Sequence, residues 1–163
     1  MITARRDYMM RIVEEVGRLL ARLSYKRRKG GDTDDNTLES VIFGLQRLFD
    51  LQPDQIFLLT PTQHFDMLVL DEPPEMARDK VLLYAALYTE AGHAYTKMGA
   101  RDKAAVTFST ALRFVLKARA QFPATGWPDY APSIPDLLDA LADTPLDPET
   151  TQLLNATTLP EKL

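Results

Sequence analysis

Between Thr89 and Leu112 the chain reads TEAGHAYTKMGARDKAAVTFSTAL, and this stretch constrains the fold more than any other. Small and aromatic side chains recur at helical spacing on both sides of a glycine: Tyr88, Ala91, Gly92 and Tyr95 before Gly99, then Ala104, Phe108 and Ala111 after it. Gly92 and Ala104 are small enough to let two helix backbones approach, and Tyr95 and Phe108 have the volume to fill the space beside them. Gly99 tolerates the backbone of a tight turn. The pattern therefore predicts a helix from about Pro74 to Met98 and a second from Ala100 to Ala120. A connection this short makes them antiparallel neighbours. These eight residues are read as packing positions, not as chemistry.

Apolar periodicity extends the helical reading to the rest of the chain. Met9, Ile12, Val13, Val16, Leu19, Leu20 and Leu23 fall at three- and four-residue steps, with Arg11, Glu14, Glu15, Arg18 and Arg22 on the other face. This helix ends in YKRRKGG, cations followed by turn-forming glycines. Leu38, Val41, Ile42, Leu45, Leu48 and Phe49 form the stripe of a second helix, for which Asn36 or Thr37 is the expected cap. Residues 53–72 hold two short apolar runs, each opened by proline, and predict one or two short helices. After Pro123 the character changes: seven of the eleven prolines lie in the last 41 residues. Ser133 and Asp147 are expected caps of two short helices there. Trp127, Tyr130, Leu137, Leu138 and Leu141 require that this segment pack back on the bundle. The final TTLPEKL is expected to be loose. The whole is read as one all-α domain over 1–163, with helical hairpins over 1–123 and a Pro-rich, partly helical cap over 124–163.

Over residues 85–116 the pattern resembles a tetratricopeptide repeat, with Tyr88, Ala91, Gly92, Tyr95, Gly99, Ala104, Phe108 and Ala111 in that family's small and aromatic positions. The family's proline near the end of the second helix is absent, since Leu116 stands in its place. The N-terminal helix pair has Pro53 near the corresponding point but little else. One good repeat falls short of the three or so that an array needs, so the resemblance implies a repeat-like bundle rather than a solenoid. Some members of the family grip a partner's C-terminal carboxylate with Lys and Asn. The matching positions here are Ala86, Thr89, Glu90 and His93, which cannot make that clamp. The resemblance implies a groove for a protein partner, with Thr89, Glu90, His93 and Lys97 as its candidate residues. RDYMMRIVEEVGRLLARL followed by this hairpin also resembles a family of small bacterial helical proteins with no assigned activity.

Several chemistries are excluded or disfavoured. With no cysteine, thiolate metal sites, disulfides and a Cys nucleophile are absent. The segment DTDDNTLES fails as a calcium loop, because Thr37 stands where Gly is needed and Phe43 where Glu is needed. Glu90 and His93 form a single Glu-x-x-His pair, whereas di-iron bundles use two with further glutamates. His64 and Asp66 lack a nucleophile motif to serve, and His64 is expected at the surface. Neither nucleotide-loop pattern occurs. No catalytic set, cofactor or metal is expected, and the chain is read as non-enzymatic.

Charge is unevenly placed. Residues 1–31 carry nine Lys/Arg against three Asp/Glu, and residues 32–163 carry ten against twenty, for a net of −4. The asymmetry is read as attraction between the two parts, within the chain or across a dimer, and not as a nucleic-acid surface. For a homodimer, Tyr8, Met10 and Leu20 of the first helix are the expected contacts. The absence of a signal-like or membrane-length apolar run points to a soluble, cytoplasmic protein. A protein partner is the expected ligand. The runner-up is a regulatory protein that holds a small-molecule or peptide ligand between the helix pair and the HFDMLVLDEPP connector, and an enzyme of unknown class stands third.

Overall fold

The computed structural model describes residues 2–30 and 34–158. Every regular element among them is helical: α1 (Ile2–Lys29), α2 (Asp34–Phe49), α3 (Pro53–Phe57), α4 (Pro61–Val69), α5 (Pro74–Lys97), α6 (Arg101–Gln121), α7 (Ile134–Ala140) and α8 (Pro148–Thr158). The fold is all-α. α5 and α6 make the most extensive helix contact. α2 and α4 pack on α5, α7 and α8 pack on α6, and α1 lies across α2 and α5.

The antiparallel α5–α6 hairpin turns at Gly99, whose φ of 79° lies in the left-handed region that glycine adopts without penalty. The close approach differs from the expectation in one respect. A Cβ on Gly92 would stand 2.6 Å from Cε1 of Phe108. The aromatic ring itself, rather than the small side chain of Ala104, therefore occupies the space that Gly92 leaves. Ala104 is buried, and Tyr95 is half-buried with the Lys103 ammonium 5.8 Å from its ring centre.

Gly44 plays a similar part in α2, a role the reading of the sequence did not assign to it. A Cβ there would lie 2.8 Å from Leu87 of α5 and 3.2 Å from Leu19 of α1. The predicted stripes of α1 and α2 do enter the core, with Ile12, Val16, Leu19, Leu20, Leu23, Val41, Leu45 and Leu48 all buried. Leu20 is thus a core residue and cannot serve as a dimer contact, because its position on α1 faces inward; Tyr8 and Met10 stay exposed. Asn36 and Thr37 lie inside α2, whose first residue is Asp34, so neither is its cap. The residues just before α2, 31–33, and the end of the chain, 159–163, fall outside the described part, while Thr157 and Thr158 belong to α8.

Residues 53–72 form two short helices, each with Pro at its first position. α4 starts with a capping box, in which Thr60 Oγ1 accepts from the Gln63 N–H and Gln63 Oε1 accepts from the Thr60 N–H. His64 is buried here, contrary to the surface position expected of it. Its Nε2 lies 2.7 Å from the Ile56 carbonyl oxygen and its Nδ1 lies 2.7 Å from the Tyr84 hydroxyl. A carbonyl can only accept, so Nε2 carries the hydrogen and Nδ1 accepts from Tyr84. The imidazole sits in an aromatic column that ties α2, α4, α5 and α6 together. Phe49 is 5.2 Å and Tyr84 5.5 Å from it between ring centres, and Tyr84 stacks on Phe114 at 4.3 Å. Burial pushes the Tyr84 phenol pKa strongly up, so this hydroxyl remains a donor.

The segment after Pro123 is docked by specific polar contacts as well as by its apolar residues. Ser133 and Asp147 cap α7 and α8 through their side-chain oxygens. Leu137 and Leu141 are buried. The Tyr130 hydroxyl donates to the Asp79 carbonyl at 3.1 Å. Most of the anchoring falls to Arg78 of α5, which is buried and donates to the carbonyls of Pro123, Thr125 and Gly126 at 3.0, 2.8 and 3.1 Å.

Candidate functional site

Docking of the C-terminal segment beside α1 leaves an open groove of about 830 Å³. One wall is α1, through Glu14, Gly17, Arg18, Ala21, Ser24 and Arg28. These recur at three- and four-residue steps, so they form one continuous helix face. From Glu14 to Arg28 this face runs for about 21 Å at the helical rise. The other wall is the Pro128–Ala140 segment, including Asp129, Asp136 and Leu137. The floor is Ala86, Thr89, Glu90 and His93 of α5 with Phe108 of α6.

Three of the four residues singled out from sequence, Thr89, Glu90 and His93, therefore sit side by side on the groove floor. Lys97, one turn further along α5, is exposed and does not line it. Glu90 does not act as half of a Glu-x-x-His metal pair. Its carboxylate is buried and takes a two-point contact from Arg27 of α1, whose Nε donates to Oε1 at 2.9 Å and Nη2 to Oε2 at 3.1 Å. That geometry is favoured for guanidinium and carboxylate, and it joins the wall to the floor. The basic N-terminal part thus meets the acidic remainder within one chain. Arg5 and Lys80 converge on Glu72 at 3.5 and 3.0 Å. The pairing also runs the other way, with Glu15 of α1 holding Arg47 of α2 at 2.9 Å. Among the described residues, no three His, Asp or Glu side chains lie close enough together to hold a metal ion. Asp66 is exposed, and the His64 ring is committed to its two core partners. A smaller concavity of about 360 Å³ touches Met67 and Leu68 of the connector. The larger groove lies elsewhere, beside α1. Among the described residues, no helix is long and apolar enough to cross a membrane.

No protein-family model matches the chain, no curated protein matches it, and no solved structure matches it.

His93 gives the groove a pH signature. Its ring meets Phe108 edge-on at 5.2 Å. Burial first, then the Arg27 charge, lowers its pKa below the ordinary 6.5, against opposing contributions from Glu90 and Asp136. Between that lowered value and 6.5 the unfolded chain holds the proton and the folded chain does not. Stability from this group is therefore complete above 6.5 and falls as pH drops through the window. Urea unfolding at a series of pH values should show this slope, and His93→Gln should flatten it. An unchanged slope in the variant would assign the pH dependence to other groups.

Proposed function

We propose that the chain is a non-enzymatic interaction module that holds a segment of a partner protein in the groove along α1. The observation that carries this reading is the shape of the groove. Its lining repeats over about four turns of one helix, so it is a trough rather than a compact pocket. An extended chain advances about 3.3 Å per residue, so a trough of this length accepts about six residues. A compact small molecule would leave most of such a wall uncovered, which places the small-molecule alternative second. The floor adds the amphipathic ring of His93, half-buried and backed by Phe108, against which side chains can pack. The same reading takes α5–α6 as tetratricopeptide-like. It is supported by Gly99 at the turn, by Phe108 over Gly92, and by the groove-facing positions Ala86, Thr89, Glu90 and His93.

Selection of displayed peptides against the purified protein tests the proposal, with Ala21→Trp as the control. Ala21 is exposed at the middle of the α1 wall, so an indole there fills the trough without entering the core. Selected peptides should lose at least about tenfold in affinity to this variant, the size of one well-placed contact group, at an unchanged unfolding midpoint. Peptides that bind the variant as well as the parent would place their site elsewhere and contradict the groove.

A further inference from the structure

From Gly17 to Arg28 the charges of the trough are sorted by wall, with the exposed Glu14 lying one turn beyond Arg18, and their order assigns the kind of segment it takes, an inference that rests on the peptide reading above. On the α1 wall, Arg18 and Arg28 are exposed. Among the described residues neither is in an ion pair; Arg28 is held only through Nε, which donates to the Ser24 carbonyl at 3.3 Å. On the facing wall, Asp129 and Asp136 are exposed and likewise outside any ion pair. Arg27, by contrast, is already spent on Glu90. Between Gly17 and Arg28 the two walls thus present charges of opposite sign that, among the described residues, are outside any ion pair.

The Tyr130 ring lies 3.7 Å from where a Cβ on Gly17 would stand, which sets Asp129 at the Arg18 end. Asp136 lies seven residues further along the same wall and lines the same trough. Arg18 and Arg28 are separated by about 15 Å along the helix axis. An extended chain covers about 13 Å in four residues, and its side chains alternate between the two walls. Long guanidinium side chains take up the difference.

We propose that the groove binds an extended segment of alternating charge. Two acidic side chains four positions apart face Arg18 and Arg28. Basic side chains at the first and third intervening positions face Asp129 and Asp136, and a small central residue faces Ala21 and Ser24. The order is the same read from either end, so the proposal does not depend on chain direction.

The probe is the capped pentapeptide Glu-Lys-Ala-Lys-Glu, compared with Lys-Glu-Ala-Glu-Lys, which has the same composition and net charge. Fluorescence anisotropy at low salt should show the first binding at least about tenfold tighter, the combined effect of four screened charge contacts. The difference should shrink as salt is raised. In the variant carrying Arg18→Glu, Arg28→Glu, Asp129→Lys and Asp136→Lys the preference should invert. All four positions are exposed, so circular dichroism should confirm an intact fold. Equal binding of the two peptides, or the same preference in the variant, overturns the charge assignment. If neither binds while library-selected peptides do and Ala21→Trp blocks them, the assignment fails and the groove reading stands. If no peptide of any sequence is blocked by Ala21→Trp, both fail.

Discussion

Arg78→Ala is expected to lower the unfolding free energy by about 3 kcal/mol or more, as removal of a buried charged donor that satisfies several acceptors does. The guanidinium is almost fully enclosed, with its side chain 5 % exposed. It serves three consecutive-turn carbonyls of the Pro123–Gly126 loop and the Asp79 carboxylate, the latter at 3.0 Å. Alanine removes this donor from the Thr125 and Gly126 carbonyls, leaves Pro123 with the Trp127 indole N–H at 3.1 Å alone, and opens an empty volume beneath the loop. Asp79, whose pKa is already raised by burial and held down by Arg78, would rise further. The loop leads into the second wall of the groove, so the effect should also be local. Proteolytic nicking between Phe122 and Ser133 should accelerate, and peptide affinity should fall. Arg78→Lys should recover less than half of the loss, because an ammonium cannot reproduce a planar fork reaching three acceptors. Chemical unfolding combined with limited proteolysis checks both parts. A loss under about 1 kcal/mol, the worth of an ordinary hydrogen bond, would show that the loop is anchored by its apolar residues instead.

His64→Ala should cost about 3–5 kcal/mol, the sum of a cavity in the aromatic column and the loss of two buried hydrogen bonds. The Ile56 carbonyl would keep only the Leu59 N–H at 3.1 Å, and the Tyr84 hydroxyl would lose its 2.7 Å contact with the imidazole, both deep in the core. Tyr84→Phe keeps the ring stack and strands only Nδ1, so it should cost less, about 1–2 kcal/mol. Urea unfolding of the two single variants and the double variant separates the pair from the packing. A strictly additive double variant would mean that the His64–Tyr84 hydrogen bond contributes nothing of its own.

What the sequence made legible was local. The periods of α1 and α2, the hairpin around Gly99, the proline starts of α3 and α4, and the caps at Ser133 and Asp147 each depend on residues within a turn or two of each other. What stayed hidden depends on residues brought together by the fold. Arg78 reaches backbone carbonyls 45 to 48 positions away. Carbonyls are present at every residue, so no side-chain pattern marks them. The Glu15–Arg47 and Arg27–Glu90 pairs span 32 and 63 positions. Charge asymmetry indicated that such attraction exists but not which residues meet. Two omissions had a signal. His64 stands four before Leu68 and next to Phe65, on the buried face of α4, and the polar neighbours Gln63 and Asp66 obscured that spacing. Gly44, mid-helix beside an apolar stripe and far from any turn, is placed where only a close helix approach accounts for it. The groove was legible in its floor, through Thr89, Glu90 and His93. Its walls were not, since they exist only because the Pro-rich segment docks beside α1.

The function proposed above puts the partner segment in this trough rather than on any other surface. Other apolar surface exists: Phe57, Leu58 and Leu70 are all exposed on or beside α3 and α4. Amide chemical-shift mapping with a library-selected peptide distinguishes the two directly. Binding in the trough should confine the shifts to α1 from Glu14 to Arg28, to α5 from Ala86 to His93, and to the 128–140 wall. Shifts centred on Phe57, Leu58 and Leu70, with the α1 face unperturbed, would contradict it.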